Sequence, residues 1–377
     1  MASVDCDHIT NIMMYLVKQY ASLPPPYGGV SVFIKRLTFA LHKKGWISGA
    51  FFSNTCDGIP GEIVNYMDRF PRHSRSILII PDVRYLIKVF KNYDLVHSHM
   101  SLLSCFSTWV IHKLLRLPVV YTIHNQMLDK EFDRMNFLDR YCLKSLAADE
   151  TVQFISVNRN IARMLIERGV QFRNPLEVIP AYIPPVEYGT ISDYLSPSLI
   201  NFIDGDDPFI LFYAESLAKY NNAEIYGITD AIEAFVKVKD EFPNLKIVLC
   251  ITNYVDDNDL DRYKGKLNKY TDSVYWQTGP MSEMWPLLKS ATLLLRPTST
   301  DGDSVMIREA LAYGLPVVAS DVVKRPHGCY TYEYGNRKDL VDKIASVLLH
   351  PQRNTISQED YTDSIIQIYS NLLVKNN

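Results

Sequence analysis

The stretch TDGDSVMIREALAYGLPVVASD, residues 300–321, holds groups able to bind a hydroxyl-rich anion. It reads as a polar loop, a short helix from Ser304, a stop at Gly314 and a buried strand. Two acids, Asp301 and Glu309, bracket the helix start, eight residues apart. Backbone N–H groups at a helix start favour a negative ligand such as a diphosphate. A carboxylate beside them suits the hydroxyls of a ribose or hexose. Loops at the carboxyl ends of parallel strands are where open α/β sheets bind ligands. Gly28-Gly29, between an apolar run and a helix-period segment, offers a second place where backbone approaches a ligand, or simply a tight turn. His97, His99 and His124 stand near the ends of further apolar runs, where an imidazole packs, caps a strand or orients a ligand hydroxyl. Their spacing, without an acid, is not that of a metal site.

These groups need a scaffold, and the chain is long enough to supply one. Its 377 residues suit two domains, each with its own core. A hydrophobic fraction of 47% with 21% charged residues is ordinary for globular proteins. No apolar run approaches the ~20 residues of a membrane helix. The opening MASVDCDHIT lacks the basic and apolar regions of a signal peptide. Six scattered cysteines without C-x-x-C argue for reduced thiols, so a cytoplasmic location is expected. Net charge is −3, unevenly divided: residues 1–190 carry 21 Lys+Arg against 16 Asp+Glu. A basic N-terminal half faces either solvent or an anionic surface or acceptor.

Apolar runs alternate with helix-period segments, the pattern of parallel α/β sheets. Strands are expected at 11–17, 46–52, 77–80, 94–97, 118–123, 152–156 and 177–179, and then at 209–214, 246–251, 273–277, 292–296 and 316–320. Helices are expected at 30–44, where Phe33, Leu37, Ala40 and Leu41 share a face, and at 225–241, 282–290, 304–313, 339–349 and 358–373. A stretch rich in Pro, Ser, Asp and Gly, 182–207, reads as the interdomain linker. This gives an N-terminal domain over 1–190, a C-terminal domain over 205–357 and a closing helix in 358–377. The segment 82–93 carries Val83, Leu86, Ile87 and Phe90 on one side and Arg84, Lys88 and Lys91 towards the other. It suits a surface helix of the core or a peripheral membrane helix.

Six motifs in order resemble one family. They are Pro25-Pro26-Tyr27-Gly28-Gly29-Val30-Ser31, Asp94-Leu95-Val96-His97-Ser98-His99, Val120-Tyr121-Thr122-Ile123-His124-Asn125, Ile155-Ser156-Val157-Asn158, Val178-Ile179-Pro180, and Glu309-Ala310 followed by Gly314-Leu315-Pro316-Val317-Val318. The chain resembles the family-4 glycosyltransferases, retaining enzymes of α/β GT-B fold with two Rossmann-like domains facing a cleft. In that family an acid and a small-residue turn precede the Glu-Ala pair, and here Asp301 stands where Glu is more usual. The resemblance implies that the C-terminal domain holds a nucleotide-diphosphate sugar and the N-terminal domain a glycan or polyprenyl-linked acceptor. Glu309 would accept hydrogen bonds from the ribose, Asp301 would meet the transferred sugar, and His124 would lie by the reacting sugar. Gly28, Gly29, Gly302, Asp303, Ser304 and Val305 would approach the donor, while Tyr27, His97 and His99 would lie on the acceptor side.

The family also carries an Arg and a Lys that neutralise the leaving diphosphate. Here those regions read Tyr213-Ala214-Glu215-Ser216-Leu217 and Glu224-Ile225-Tyr226-Gly227. A leaving group gaining negative charge needs donors aimed at it, and Lys219, Arg296 and Arg325 are the candidates. Asp301-Gly302-Asp303 has the Asp-Xaa-Asp spacing that holds a cation in GT-A enzymes. GT-B enzymes commonly need none, so neither a metal nor a cofactor is expected. The expected activity is sugar transfer in surface polysaccharide assembly, by an enzyme in the cytoplasm or peripheral on the inner face of the plasma membrane, with no nucleic acid involved. Two alternatives stay open: an inactive sugar-nucleotide-binding or partner subunit, and a GT-B nucleotide-sugar epimerase.

Overall fold

The computed structural model describes residues 16–20, 29–51, 63–64, 87–88, 90–99, 101–124, 128–185, 187, 189–253 and 257–376. Among them two parallel sheets stand out. β1 (Leu16–Tyr20), β2 (Ile47–Phe51), β3 (Ile63–Val64), β4 (Leu95–Ser98), β5 (Val119–Ile123), β6 (Val152–Ser156) and β7 (Glu177–Val178) form the first, in the order β3-β2-β1-β4-β5-β6-β7. β8 (Phe209–Ala214) is followed by a small antiparallel ribbon of β9 (Lys219–Tyr220) and β10 (Ala223–Glu224). β11 (Lys246–Ile251), β12 (Val274–Thr278), β13 (Leu293–Arg296), β14 (Val317–Ser320) and β15 (Cys329–Tyr332) join β8 in the second sheet, in the order β12-β11-β8-β13-β14-β15. Strand order reverses beside β1 and beside β8. Each reversal opens a crevice at the carboxyl ends of its sheet.

The sequence explains these strands. β8, FILFYA, and β11, KIVLCI, are nearly continuous apolar runs, as strands covered on both faces must be. Both lie where the apolar pattern predicts, to the residue. β1 runs past the expected end at 17, through the polar Lys18 and Gln19 to Tyr20. Residues 11–15, the expected strand at 77–80 and half of the segment 82–93 lie outside the described residues. β15 was not anticipated: it is an edge strand with Tyr330 and Thr331 exposed, so it carries no apolar run.

Helix Gly29–Lys43 covers the first sheet with Phe33, Ile34, Leu37 and Leu41 buried. Arg36 is buried on the same helix. The last helix, Thr362–Asn376, returns to the first domain, where Ile365, Tyr369, Leu372 and Leu373 join the core around Val17, Leu95 and Tyr121. The second sheet has a core on each face, one around Phe212 and Phe235, the other around Leu211, Leu287 and Leu311. Burial of each such side chain contributes about 1.5–3 kcal/mol. Within 182–207, Ser196 caps a helix at Pro197–Ile203, and Leu195 and Leu199 pack into the second domain's core.

Candidate active site

Between the two sheets lies a cleft of about 390 Å³. Its first-domain wall includes Gly29 and Val30 at the start of helix Gly29–Lys43, Arg36 further along it, and His124 just past β5. Its second-domain wall includes Glu215 past β8, Tyr226, Arg296 at the end of β13, residues 300–306 and Glu309. Two helix starts therefore face one space, and both favour negative charge there. Among the described residues nothing lies within 4 Å of where a Cβ on Gly29 would stand.

Helix Val305–Ala312 begins where Ser304 accepts a hydrogen bond from the Ile307 N–H at 3.4 Å. That start places Glu309 one turn in, where its side chain is buried. There it pairs with Arg36 of the other domain through Oε1. Among the described residues nothing pairs with Oε2. Arg36 also reaches Glu283 at 3.5 Å and the Ile183 carbonyl at 3.4 Å, while Lys35 meets Glu283 at 3.3 Å. Burial pulls the Arg36 pKa down, but Glu309 and Glu283 more than offset this and keep the guanidinium charged.

Asp301 lies between two arginines. Arg296 approaches it twice at 3.3 Å and Arg325 once at 2.7 Å. Burial alone would raise the Asp301 carboxyl, yet the two guanidinium groups hold it down at about 2. Two positive groups against one negative leave one positive charge in this trio. Arg296 carries it to the cleft wall, with its guanidinium 5.0 Å from the Tyr226 ring centroid. Arg325 faces away from the cleft: its side chain is 2% exposed and its donors reach the Ser320 carbonyl at 2.7 Å and Thr298 Oγ1 at 3.0 Å. Lys219 is exposed on the β9–β10 ribbon, outside the cleft lining. Of the three candidate cations, only Arg296 lines the site. The Tyr226 hydroxyl donates to Glu215 at 3.1 Å.

Asp303 lines the cleft but is engaged by Arg308, at 2.8 and 2.9 Å, and by the Ala181 N–H. Burial raises its pKa and Arg308 opposes this. Both carboxylates of the Asp-Xaa-Asp triplet thus have arginine partners. Among the described residues no group of three or more His, Cys, Asp or Glu is arranged to hold a metal. Gly302 between them suits a close approach, since a Cβ there would stand 3.0 Å from the His124 carbonyl oxygen of the other domain. Val305 also lines the cleft.

The three histidines come together behind His124. His99 Nδ1 lies 2.9 Å from His124 Nε2, and His99 Nε2 lies 2.8 Å from Gln19 Oε1. His97 is fully buried, between Tyr369 Oη at 2.6 Å and Thr122 Oγ1 at 2.7 Å. Burial lowers all three pKa values, with His124 pushed down to about 3. Of the three, only His124 lines the cleft. Tyr27 and Gly28 lie outside the described residues. Reading the sequence alone missed Arg36, Glu283, Gln19 and Tyr369. Arg36 had one available signal, a charge amid the apolar stripe of an amphipathic helix.

Two parallel-sheet domains closing on one cleft, with acids at a helix start and Arg296 at the neighbouring strand end, define a GT-B glycosyltransferase. The chain belongs to the family-4 glycosyltransferases: the family described as Glycosyltransferase Family 4 matches residues 27–185, and Glycosyl transferases group 1 matches 210–350. No curated protein matches the sequence closely enough to count as a relative. Similar solved structures include sucrose-phosphate synthase from Thermosynechococcus elongatus, at 16% identity and TM-score 0.63, covering 96% of this chain and 97% of that one. Anabaena Alr3699/HepE in complex with UDP-glucose is also similar, at 16% identity and TM-score 0.63, covering 96% and 94%. So is WaaG, a glycosyltransferase involved in lipopolysaccharide biosynthesis, at 14% identity and TM-score 0.61, again covering 96% and 94%. At these identities the likeness establishes the fold.

Proposed function

We propose that this enzyme moves a sugar, with retention, from a nucleotide-diphosphate donor to a glycan or lipid-linked acceptor in surface polysaccharide assembly. One observation carries the reading: Glu309, Asp301 and Arg296 gather at the start of helix Val305–Ala312 and face Gly29 and His124 across the cleft. The ribose hydroxyls donate to the unpaired Oε2 of Glu309. The diphosphate lies against the helix start with Arg296 beside it, in place of the Arg and Lys that relatives carry. The sugar lies between the Asp301 loop and His124.

The first-domain residues that line the cleft among those described, Gly29, Val30, Val32, Arg36, His124, Val157 and Ala181, include no carboxylate. This favours departure and attack on one face of the sugar over a double displacement through an enzyme nucleophile. Catalysis then rests on positioning and on stabilising the leaving diphosphate. Arg296 and the backbone N–H groups supply the positive field, so the reaction runs without a metal or cofactor. A uridine donor has support from HepE, solved with UDP-glucose.

A lipid-linked acceptor has support from the first domain's surface. Phe137, Leu138 and Tyr141 are 86%, 45% and 53% exposed at the start of helix Phe137–Ala147. Exposed Arg134 and Lys144 flank them, a pairing of apolar and basic groups that suits an anionic membrane face. Among the described residues no helix is long and apolar enough to cross a membrane.

The test is a thermal-shift panel of UDP-, GDP-, ADP- and CMP-sugars, followed by turnover with the best binder in chelator. One class is expected to raise Tm, and turnover to persist without metal. No shift with any donor refutes the reading, and activity that returns only with added Mg²⁺ refutes its metal-free part. A second reading, a binding subunit without turnover, is favoured by one feature: residues 213–217 hold no Arg, and Tyr226 stands where the family's Lys is expected. Donor binding without transfer or hydrolysis would establish it, and epimerised donor as the product would point to the epimerase instead.

A further inference from the structure

We infer that Gln19 and Tyr369 are positioning residues for the transfer step: through His99 they hold His124 as its Nε2–H tautomer, so that Nδ1 meets the sugar as a hydrogen-bond acceptor. The catalytic half of this inference rests on the proposed placement of His124 beside the sugar.

A neutral imidazole has one donor and one acceptor, and the partner of one nitrogen decides the role of the other. Gln19 Oε1, 2.8 Å from His99 Nε2, can only accept. The His99 proton therefore sits on Nε2, and Nδ1 is bare. His99 Nδ1 lies 2.9 Å from His124 Nε2, so His124 donates there. Its own Nδ1 keeps a lone pair, and among the described residues nothing pairs with it.

The far end of the chain is satisfied by the same direction. Gln19 Nε2 donates to Tyr369 Oη at 3.4 Å, the phenol donates to His97 Nδ1 at 2.6 Å, and His97 Nε2–H donates to Thr122 Oγ1 at 2.7 Å. Each of these bonds is then made with a donor facing an acceptor. Turning the Gln19 amide over would reverse every bond and present Nδ1–H to the sugar. The chain is dry: Gln19 and His97 are fully buried and His99 is 8% exposed. Burial lowers the pKa of each imidazole, so the rings stay neutral at pH 7. Phe33 packs edge-on at 5.9 Å from the His99 ring and 5.4 Å from the His124 ring. The last helix thus reaches the reaction centre through a single hydroxyl.

Full-length protein labelled with ¹⁵N-histidine tests this without any substrate. The His124 signals, assigned by their loss in His124→Gln, are expected to show a pyrrole-type Nε2 and a pyridine-type Nδ1. A pyrrole-type Nδ1 in the unsubstituted protein overturns the inference, whatever the variants do. Gln19→Leu removes the acceptor and is expected to mix the His124 tautomers. It should lower kcat roughly tenfold, with donor KM little changed, because orientation is lost and binding is not. Gln19→Glu, which restores an oxygen against His99, is expected to recover most of both. An unaltered His124 tautomer with unaltered kcat in Gln19→Leu also overturns it. Full turnover by His124→Gln would refute the placement of His124 at the sugar, and with it the catalytic half, while the tautomer result stood.

Discussion

Arg296 is the side chain on which the proposed chemistry depends most. It lines the cleft, stacks on Tyr226 and shares Asp301 with a buried second arginine, so its own charge is left for the leaving group. Arg296→Gln is expected to lower kcat by about 10²-fold, the usual cost of losing one donor aimed at developing charge. Lys219→Ala is expected to leave kcat/KM unchanged, because Lys219 is exposed on the ribbon outside the cleft. Steady-state turnover of both variants with the preferred donor decides the matter, and the reverse order of effects would assign the leaving group to Lys219. The sequence supplied all three candidates but could not choose among them. The choice depends on which way each strand end points, and that is settled by packing.

The loops at the strand ends transmit fit between the two sheets. A Cβ on Gly302 would stand 3.0 Å from the His124 carbonyl oxygen, so a larger residue crowds the 300–304 loop against the β5 end. Gly302→Val is expected to cost about 1–3 kcal/mol of stability through overpacking. It should lower kcat by more than that loss explains, since both sugar-facing groups shift together. Thermal melts beside single-turnover rates separate the two effects, and an unshifted rate would place the contact outside the chemistry. The same strand ends carry a pH signature. His97 and His99 have folded pKa values below the ~6.5 of a free imidazole. As pH falls below about 6.5 the unfolded chain takes up protons that the folded one refuses, so stability drops. It is fully present above that pH. Each of the two contributes up to about 1.4 kcal/mol per pH unit. A Tm that stays flat from pH 7 to 5 would show that these rings are charged or wet. Strands such as β8 and β11 were legible because buried parallel strands are unbroken apolar runs. That β1 runs on to Tyr20 was not legible, because Gln19 looks like a strand end until His99 and Tyr369, the latter 350 residues away, are seen to satisfy it.

The two domains meet through ions that sit in the site itself. Glu309 was legible from its motif, but its partner Arg36, 273 positions earlier, carries no local sign of the pairing. The pair is buried, with side chains 9% and 4% exposed, so neither charge can turn to water when the other is removed. Arg36→Met should therefore strand the Glu309 carboxylate, and Glu309→Leu should strand the guanidinium, although Glu283 remains beside it at 3.5 Å. Each single change is expected to cost about 3 kcal/mol, the Glu309 change somewhat less. The Arg36→Met/Glu309→Leu double variant should cost clearly less than the two together, because no orphaned charge is left at Glu309. Thermal unfolding of the four proteins gives the coupling, and small-angle scattering reports the cleft. The Arg36 variant should be the more open form and should show a raised donor KM with kcat less affected, since Glu309 loses the partner that holds its carboxylate in place for the ribose. Strict additivity would mean that the two charges do not sense each other in solution, and that this cleft is held shut by its other contacts, Lys35 with Glu283 among them.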